Sequence, residues 1–512
     1  MADGMRSSVG GAKLPAAFVR EMQELFEKLP GVSVSELPAF LECLSGERSY
    51  GLRRNPFKYT KEEFEERIPF SLESVPWAED GYFYKKEEQP GKSPYHEAGA
   101  FYMQEPSAMI VAELLGGKPG ERIADLCAAP GGKSTQIAGK MQGKGLLVCN
   151  EYVPARAKIL AQNMERMGVA GCVIFAESVD RLADRFPLFF DRVLVDAPCS
   201  GEGMFRKEEQ ALLQWSPENV AMCAKRQKEI LEEAARLVRP DGVLVYSTCT
   251  FSEAEDEAVI REFLNRHEEF CADESVLSAG LAAAGVCPGG LPGTVRMWPH
   301  RLCGEGHFAA KLLKRGAAQE AYPEEAAGRR ETSYPDAEID KRKRNLYGQR
   351  NSGRSKRTGK QYEEGRRGGE KGSEQEKWNL FHNFCEQYLS RDYRDRLEDT
   401  GRLAWRKDSL FLVPEDMPEP GGLRTERSGL YLGEAKKGRF EPSHTWAMTL
   451  KKENVSQCME LEEPVAYLRG EMTENNGDQG WILMLFQGKP LGWGKAGGNV
   501  VKNHYPKGLR RM

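Results

Sequence analysis

Residues 122–135 read RIADLCAAPGGKST. An apolar segment, Arg122 to Cys127, enters a turn of small residues and glycine, and the turn opens a helix spanning Thr135 to Met141. An apolar strand that breaks into such a turn and then into a helix is the repeating unit of an alternating α/β sheet. The same alternation continues outward. GLLVCN (145–150) reads as a second strand, and Ala157, Leu160, Ala161, Met164 and Met167 follow with helical spacing. DRVLVD (191–196) is a further strand. The segment from Ser216 to Val238 is a long helix with Ile230, Leu231, Ala234 and Val238 on one face. It stops at Arg239-Pro240-Asp241-Gly242, and Val243 to Ser247 forms the next strand. Strands apolar on both faces and separated by helices predict a doubly wound, Rossmann-like α/β sheet. Ligands of such sheets sit at the carboxyl ends of the strands, which is where the unusual residues of this chain fall.

The chain has 512 residues, 40% of them hydrophobic, enough for one large core and one or two smaller ones. Its 73 basic and 77 acidic residues leave a net charge of -4, so affinity for nucleic acid must come from local basic patches. Twelve cysteines run from Cys43 to Cys458 without a Cys-x-x-Cys pair or a Cys/His cluster at ligand spacing, which predicts reduced thiols and no metal site. The strongest apolar run, Trp481 to Phe486, is too short to cross a bilayer, and residues 1–13 lack an apolar stretch of signal length. A cytoplasmic protein without a membrane partner is expected.

Four segments emerge. Residues 1–95 form a small α+β region with a helix from Ala16 to Lys28 and a basic stretch at Arg53 and Arg54. Residues 96–314 carry the α/β sheet. Residues 315–377 are rich in Glu, Arg, Lys, Gly and Ser and nearly free of large aliphatic side chains, the composition of a disordered linker. The linker's second half, which begins KRKRNLYGQRNSGRSKRTGK (341–360), is basic, either a solvated spacer or an arm for phosphate contacts. Residues 378–512 begin as a helix and continue as short strand-like runs broken by glycine, a β-rich module.

Three groups of residues bear on chemistry. In Cys127, Ala128, Ala129, Pro130, Gly131, Gly132 and Lys133, small side chains let a ligand approach the backbone. Neither Gly-x-Gly-x-x-Gly nor a complete phosphate loop is present, which disfavours a nucleoside triphosphate. Glu151, one residue past the second strand, is placed to accept ribose hydroxyls, although a glutamate at a helix start is also ordinary charge–dipole stabilisation. Finally, Cys199 in Asp196-Ala197-Pro198-Cys199 and Cys249 in Ser247-Thr248-Cys249 each lie just past a buried strand, in a turn rather than on an apolar face. Most cysteines are small buried hydrophobes, but two at adjacent strand ends beside a nucleoside pocket are catalytic candidates.

DLCAAPGGKSTQIA, DAPCSGEGMFRK and YSTCTFSEAEDEAVI, in that order, resemble the Nop/Sun family of RNA cytosine-C5 methyltransferases. GAFYMQEPSA (99–108) and RMWPHRLCGEGHFAAK (296–311) resemble the family's flanking motifs, so the likeness covers residues 20–315. The resemblance implies an S-adenosyl-L-methionine-dependent methyltransferase domain that forms 5-methylcytosine. It makes Cys249 the nucleophile on carbon 6 and Cys199 the helper in product release, and it places cofactor contacts at Cys127 through Lys133, Glu151 and Asp196. Asp196 is also placed to protonate or hydrogen-bond N3 of the cytosine as charge develops. Where the family often carries an acidic residue toward the adenine, this chain has Ser178, flanked by Glu177 and Asp180.

The tail, with LRTERSGLYLGEAKKGRFEPSHTWAM (423–448) and GKPLGWGKAGGNVVKNHYPKGLRR (488–511), resembles the PUA-like RNA-binding domain of the RsmF-type ribosomal-RNA branch. There Lys489, Lys495, Lys502, Lys507 and Arg510 interleave with Trp493 and Tyr505, a pattern suited to phosphate contacts and base stacking. Arg53, Arg54, Lys207, Lys495 and Lys502 are the candidate RNA contacts. The expected substrate is small-subunit (16S) ribosomal RNA, free or in the small ribosomal subunit, bound by a monomer. Alternatives are a tRNA cytosine-5 methyltransferase, a DNA enzyme using the Pro-Cys thiol, and a non-catalytic RNA-binding ribosome-assembly factor. His300 and His307 have no acid or serine partner in motif spacing and are expected to be structural.

Overall fold

The computed structural model describes residues 8–9, 12–316, 374–475 and 477–510, with side chains from residue 14 onward. The segment expected as a linker, with its basic run, therefore lies almost wholly outside the described residues; Glu374–Tyr388, at its end, is helical.

The α/β expectation is met by a ten-stranded mixed sheet. Its strands are β1 (Arg122–Asp125), β2 (Leu146–Asn150), β3 (Cys172–Phe175), β4 (Phe190–Asp196), β5 (Val238–Thr248), β6 (Phe270–Ala272), β7 (Cys287–Pro288), β8 (Thr294–Met297), β9 (His307–Lys314) and β10 (Thr425–Ser428). The order is β7-β8-β9-β5-β4-β1-β2-β3-β10, with β6 paired to β9. Strands β1 to β5 are mutually parallel; β9 runs antiparallel to β5, and β10 antiparallel to β3. The order reverses between β1 and β4, which opens a crevice at their carboxyl ends.

The strands read as continuous apolar runs because both faces are covered. Ile123, Leu147, Ile174, Leu194 and Val245 pack on one face with Ile137 and Ala138 of α1 (Gly132–Lys140) and Leu160 and Met164 of α2 (Pro154–Arg166). Their neighbours Ala124, Val148, Val173, Val193 and Leu244 turn to the other face. There they meet Leu182 of α3 (Val179–Arg185), Leu231 and Ala234 of α4 (Pro217–Leu237) and Ile260 of α5 (Glu257–Arg266). The start of α4 is set locally: Ser216 accepts a hydrogen bond from the Asn219 amide, and Pro217 occupies the first helical position.

The N-terminal region contains the helix Ala16–Lys28 and an antiparallel sheet ordered Glu73–Ser74, Gly81–Phe83, Gly51–Arg54, Phe101–Met103, so its pairing extends past residue 95. Phe18, Met22, Leu25 and Phe26 of that helix pack in one cluster with Phe205, Trp215, Phe251 and Trp298, which seats the N-terminal region against the loop after β5. The C-terminal part is β-rich, with a four-stranded and a five-stranded sheet after two helices. It also contributes β10 to the central sheet, pairing Thr425 with Phe175 and Ser428 with Val173. That strand covers an edge that parallel sheets cannot leave open to water.

Candidate active site

The two cysteines singled out in the sequence meet. Cys199 Sγ and Cys249 Sγ are 3.3 Å apart, both free and partly buried, on the loops that leave β4 and β5. Strand register explains the meeting, since Asp196 of β4 pairs with Ser247 of β5 and the chain leaves both strands side by side. The hydrogen bond to Cys249, and then burial, push the Cys199 thiol well above its ordinary value. The two sulfurs are within hydrogen-bonding distance, and either thiol can be the donor. Behind the pair, the Gly203 amide donates to the Cys249 carbonyl at 2.9 Å. A Cβ on Gly203 would fall 3.0 Å from that oxygen, so glycine is needed for the close approach. Glu202, fully buried, accepts from the Phe251 amide at 2.9 Å and from Trp215 Nε1 at 2.8 Å; burial pushes its carboxyl up to about 7.

Asp196 accepts from Lys133 Nζ at 2.8 Å and from Ser247 Oγ at 2.8 Å. Burial opposes its ionisation, but Lys133 and His307 hold the carboxyl well below the usual carboxylate range. An ionised Asp196 has no proton to give to N3 and can act only as a hydrogen-bond acceptor. His307, expected to be structural, has an acid neighbour. Its Nε2 lies 3.7 Å from Asp196 Oδ1, and both buried ring nitrogens lack a hydrogen-bond partner. An antiparallel pairing, with Thr248 opposite Phe308, brings it there, and motif spacing could not show it. His300 has an acid partner as well, Glu36 at 3.2 Å, in the N-terminal region.

The small-residue turn lies between β1 and α1. Gly131 adopts φ +115°, and an added Cβ would sit 3.1 Å from Leu160. Asp125 is fully buried; Oδ2 accepts from Ser134 Oγ at 2.6 Å, Oδ1 has no partner, and burial pushes the carboxyl up to about 7. Glu151, 4% exposed, accepts from the Val153 amide at 2.9 Å and pairs with the exposed Arg156 at 3.1 Å. Burial raises the Cys127 thiol, and the carboxylates of Asp125, Asp196 and Glu151 raise it further, so three acids converge on this turn. An acidic turn with an orphaned acceptor and no room for side chains suits a nucleoside bearing a cationic centre and repels a polyphosphate. These residues fit S-adenosylmethionine. Ser178 is half-buried at the start of α3, and its side chain caps nothing. Neighbouring Glu177 is already engaged by Arg181 Nη1 and the Arg424 amide, both at 2.6 Å, and Asp180 is exposed.

The expected RNA contacts divide. Arg53 is 1% exposed and donates to Gln104 Oε1 at 3.0 Å, the Gly132 carbonyl at 3.1 Å and Thr135 Oγ1 at 2.7 Å. It buttresses the small-residue turn, and its guanidinium is withdrawn from the surface where an RNA contact was expected. Arg54 is likewise occupied, by Asp80 and the Tyr59 carbonyl. Trp493 and Tyr505 are buried at 2% and 3% exposure, so neither presents a face for stacking. Lys207 and Lys502 are exposed, and half-buried Lys495 lies over the Trp481 ring, 5.1 Å from its centroid. Among the described residues no group of three or more His, Cys, Asp or Glu could hold a metal, and no helix is long and apolar enough to cross a membrane.

Known proteins match this architecture along the chain. The family model described as 16S rRNA methyltransferase RsmB/F matches residues 112–313. Models for the RsmF N-terminal domain, first C-terminal domain and PUA domain match residues 14–106, 383–450 and 458–511. Ribosomal RNA small subunit methyltransferase F of Shewanella loihica is 30% identical over 474 residues, 90% of this chain and 89% of that protein. Its namesake from Vibrio vulnificus is 29% identical over 510 residues, 97% and 98% of the two chains. The crystal structure of NSun6 from Pyrococcus horikoshii with SFG shares the fold, with a TM-score of 0.52 over 59% of this chain and 98% of that one at 20% identity. Matched in order over nearly its whole length, the chain belongs to the RsmB/F family of 16S rRNA methyltransferases.

Proposed function

We propose that this protein forms 5-methylcytosine in small-subunit (16S) ribosomal RNA, using Cys249 as nucleophile and Cys199 to assist product release. The observation that carries the reading is the 3.3 Å approach of the two thiols beside Asp196. Carbon 5 of cytosine is a poor nucleophile, and addition of a thiolate to carbon 6 turns it into an enamine-like carbon. Asp196, ionised and fixed by Lys133 and Ser247, accepts a hydrogen bond from the N–H edge of the base as charge shifts. S-adenosylmethionine, when bound, supplies an electrophilic methyl; Cys127 through Lys133, with Asp125 and Glu151, would hold it. Cys199 then faces the sulfur that must leave. A DNA enzyme would reverse the two cysteines' roles. The C-terminal region matched by the PUA model supplies exposed Lys502 and half-buried Lys495 for backbone phosphates, with Lys207 exposed near the active-site loops.

Transfer of labelled methyl groups to small-subunit rRNA, tRNA and DNA tests the reading, with the product nucleoside identified. Label in 5-methylcytosine of small-subunit rRNA is expected, and Cys199→Ala is expected to accumulate a covalent protein–RNA adduct that disappears when Cys249 is also replaced. Activity on DNA alone, or an adduct that survives loss of Cys249, would overturn it.

A further inference from the structure

Cys199 lies in a stretch without regular secondary structure, Ala197–Ser200, yet its thiol must meet one particular sulfur. The peptide groups on both sides of it are clamped. Glu255 Oε2 accepts from the Ser200 amide at 3.0 Å and from Gln227 Nε2 at 2.7 Å. The same Gln227 nitrogen, reaching from α4, donates to the Pro198 carbonyl at 3.0 Å. Glu255 and Gln227 are both fully buried. Glu255 is itself anchored, because its carbonyl accepts from the Tyr246 hydroxyl at 2.6 Å. A second tie joins the loops, Ser200 Oγ to Thr250 Oγ1 at 2.9 Å, one residue beyond each cysteine.

We infer that Glu255, with Gln227, is a positioning residue for product release: the pair fixes the Pro198–Ser200 loop so that the Cys199 thiol points at Cys249 Sγ. This rests on the covalent chemistry proposed above. In the release step water takes the proton from carbon 5. The electrons of that C–H bond form the C5–C6 double bond, the C6–S bond breaks with its pair going to Cys249, and Cys199 passes its proton to that sulfur. The Cys199 thiolate then regains a proton from solvent, so one proton leaves per methyl transferred. Glu255 touches none of the reacting atoms. Its Oε2 serves the loop as a hydrogen-bond acceptor for two N–H donors, while burial pushes its carboxyl up. A glutamine in its place keeps an oxygen for the Ser200 amide.

The order of events gives the test its selectivity. Addition and methylation require Cys249, Asp196 and the cofactor turn, whereas release alone requires Cys199 in register. A displacement near 1 Å at a reacting group can slow a step by about a hundredfold. The assay follows methyl-labelled S-adenosylmethionine on small-subunit rRNA with the full-length protein. First-turnover incorporation, steady-state turnover and denaturant-resistant protein–RNA adduct are measured for wild type, Glu255→Ala, Glu255→Gln, Gln227→Leu and Cys249→Ala. Glu255→Ala and Gln227→Leu are expected to keep first-turnover methylation within a few-fold while steady-state turnover falls by about a hundredfold. Methylated adduct should build up in both, and Glu255→Gln should restore release. Gln227→Leu preserves side-chain bulk, so it carries the test should Glu255→Ala fail to fold. Equal loss of first-turnover and steady-state rates without adduct in Gln227→Leu would overturn the inference, as would normal turnover in both loss variants. Product without 5-methylcytosine from the wild type would instead remove the chemistry beneath it, an outcome read without any Glu255 variant.

Discussion

Replacing Arg296 by methionine isolates the buried charge beneath the catalytic loop. Arg296 is 1% exposed and forms a two-pronged pair with Glu257, Nε to Oε1 at 2.8 Å and Nη2 to Oε2 at 2.5 Å. Its Nη2 also lies 3.1 Å from Asp256 Oδ2, and Nη1 donates at 2.9 Å to the carbonyl of Phe251, two residues after Cys249. One cation serves two buried acids. Burial drives the Asp256 carboxyl well up, and its Oδ1 accepts from Thr248 Oγ1 at 2.6 Å. Burial also opposes ionisation of Glu257, but Arg296 prevails and holds it below the usual range. The neutral combination is therefore Arg296⁺ with Glu257⁻ and protonated Asp256. Methionine fills much of the arginine stem's volume but leaves Glu257 buried without a cation, at a cost of about 3–5 kcal/mol. At roughly 2–4 °C per kcal/mol for a domain of this size, melting should fall by roughly 6–20 °C.

The pH dependence has a definite sign. In the wild type the depressed Glu257 carboxyl contributes stability above its unfolded-state pKa and loses it as the pH falls through the folded value. In the variant the unpaired carboxyl is raised instead, and protonation relieves its penalty as the pH falls. Above about pH 5 only the second effect acts, so the melting gap between the proteins is widest near neutrality and narrows toward about pH 5; the wild-type loss sets in below that range. Calorimetric or fluorescence melting across that range is the assay. A gap worth less than about 1 kcal/mol, or one independent of pH, would refute the charge assignment.

Cys249→Ala should abolish methyl transfer while leaving S-adenosylmethionine affinity, measured by calorimetry, nearly unchanged, because the cofactor turn does not depend on that thiol. Arg53→Leu should weaken cofactor binding and lower the melting temperature, with no change in the salt dependence of RNA binding; a shallower salt slope would restore Arg53 to the RNA surface. Replacing Lys495 and Lys502 together by alanine should flatten the salt slope of RNA binding by about one unit per lysine. The two are directly opposed across adjacent strands, so removing one like charge should not lower stability in free protein.

The strands near 122–127, 145–150, 191–196 and 243–247 and three of the helices between them were legible because their signals are local, whereas the antiparallel strands from Phe270 to Lys314 were not read. Helical spacing and the stop at Arg239-Pro240-Asp241-Gly242 placed the long helix within one residue at each end of the observed Pro217–Leu237. Thr425–Ser428 was not legible as part of the sheet, since a polar four-residue strand earns its place only by pairing with a segment 250 residues away. Arg53 looked like a surface cation for the same reason. Its acceptors, Gln104, Gly132 and Thr135, are distant in sequence, and only the fold buries a guanidinium among them. Trp493 and Tyr505 alternate with lysines as a stacking surface would, but Trp493, in the strand Lys489–Gly497, and Tyr505, in the bend after Val500–Asn503, are both packed into hydrophobic clusters.

What the sequence determined by itself was the order of turns and strands and the chemical groups at their ends: the small-residue turn, Glu151, Asp196 and two cysteines in motif context. Those follow from short-range periodicity and turn chemistry, which a linear chain displays. The tertiary structure decided the relations among these groups. It set the 3.3 Å between Cys199 and Cys249, the His307 ring against Asp196, and the Glu255–Gln227 clamp. Each relation joins residues 28 to 111 positions apart through strand register or helix packing, and a linear pattern carries no record of which strands become neighbours.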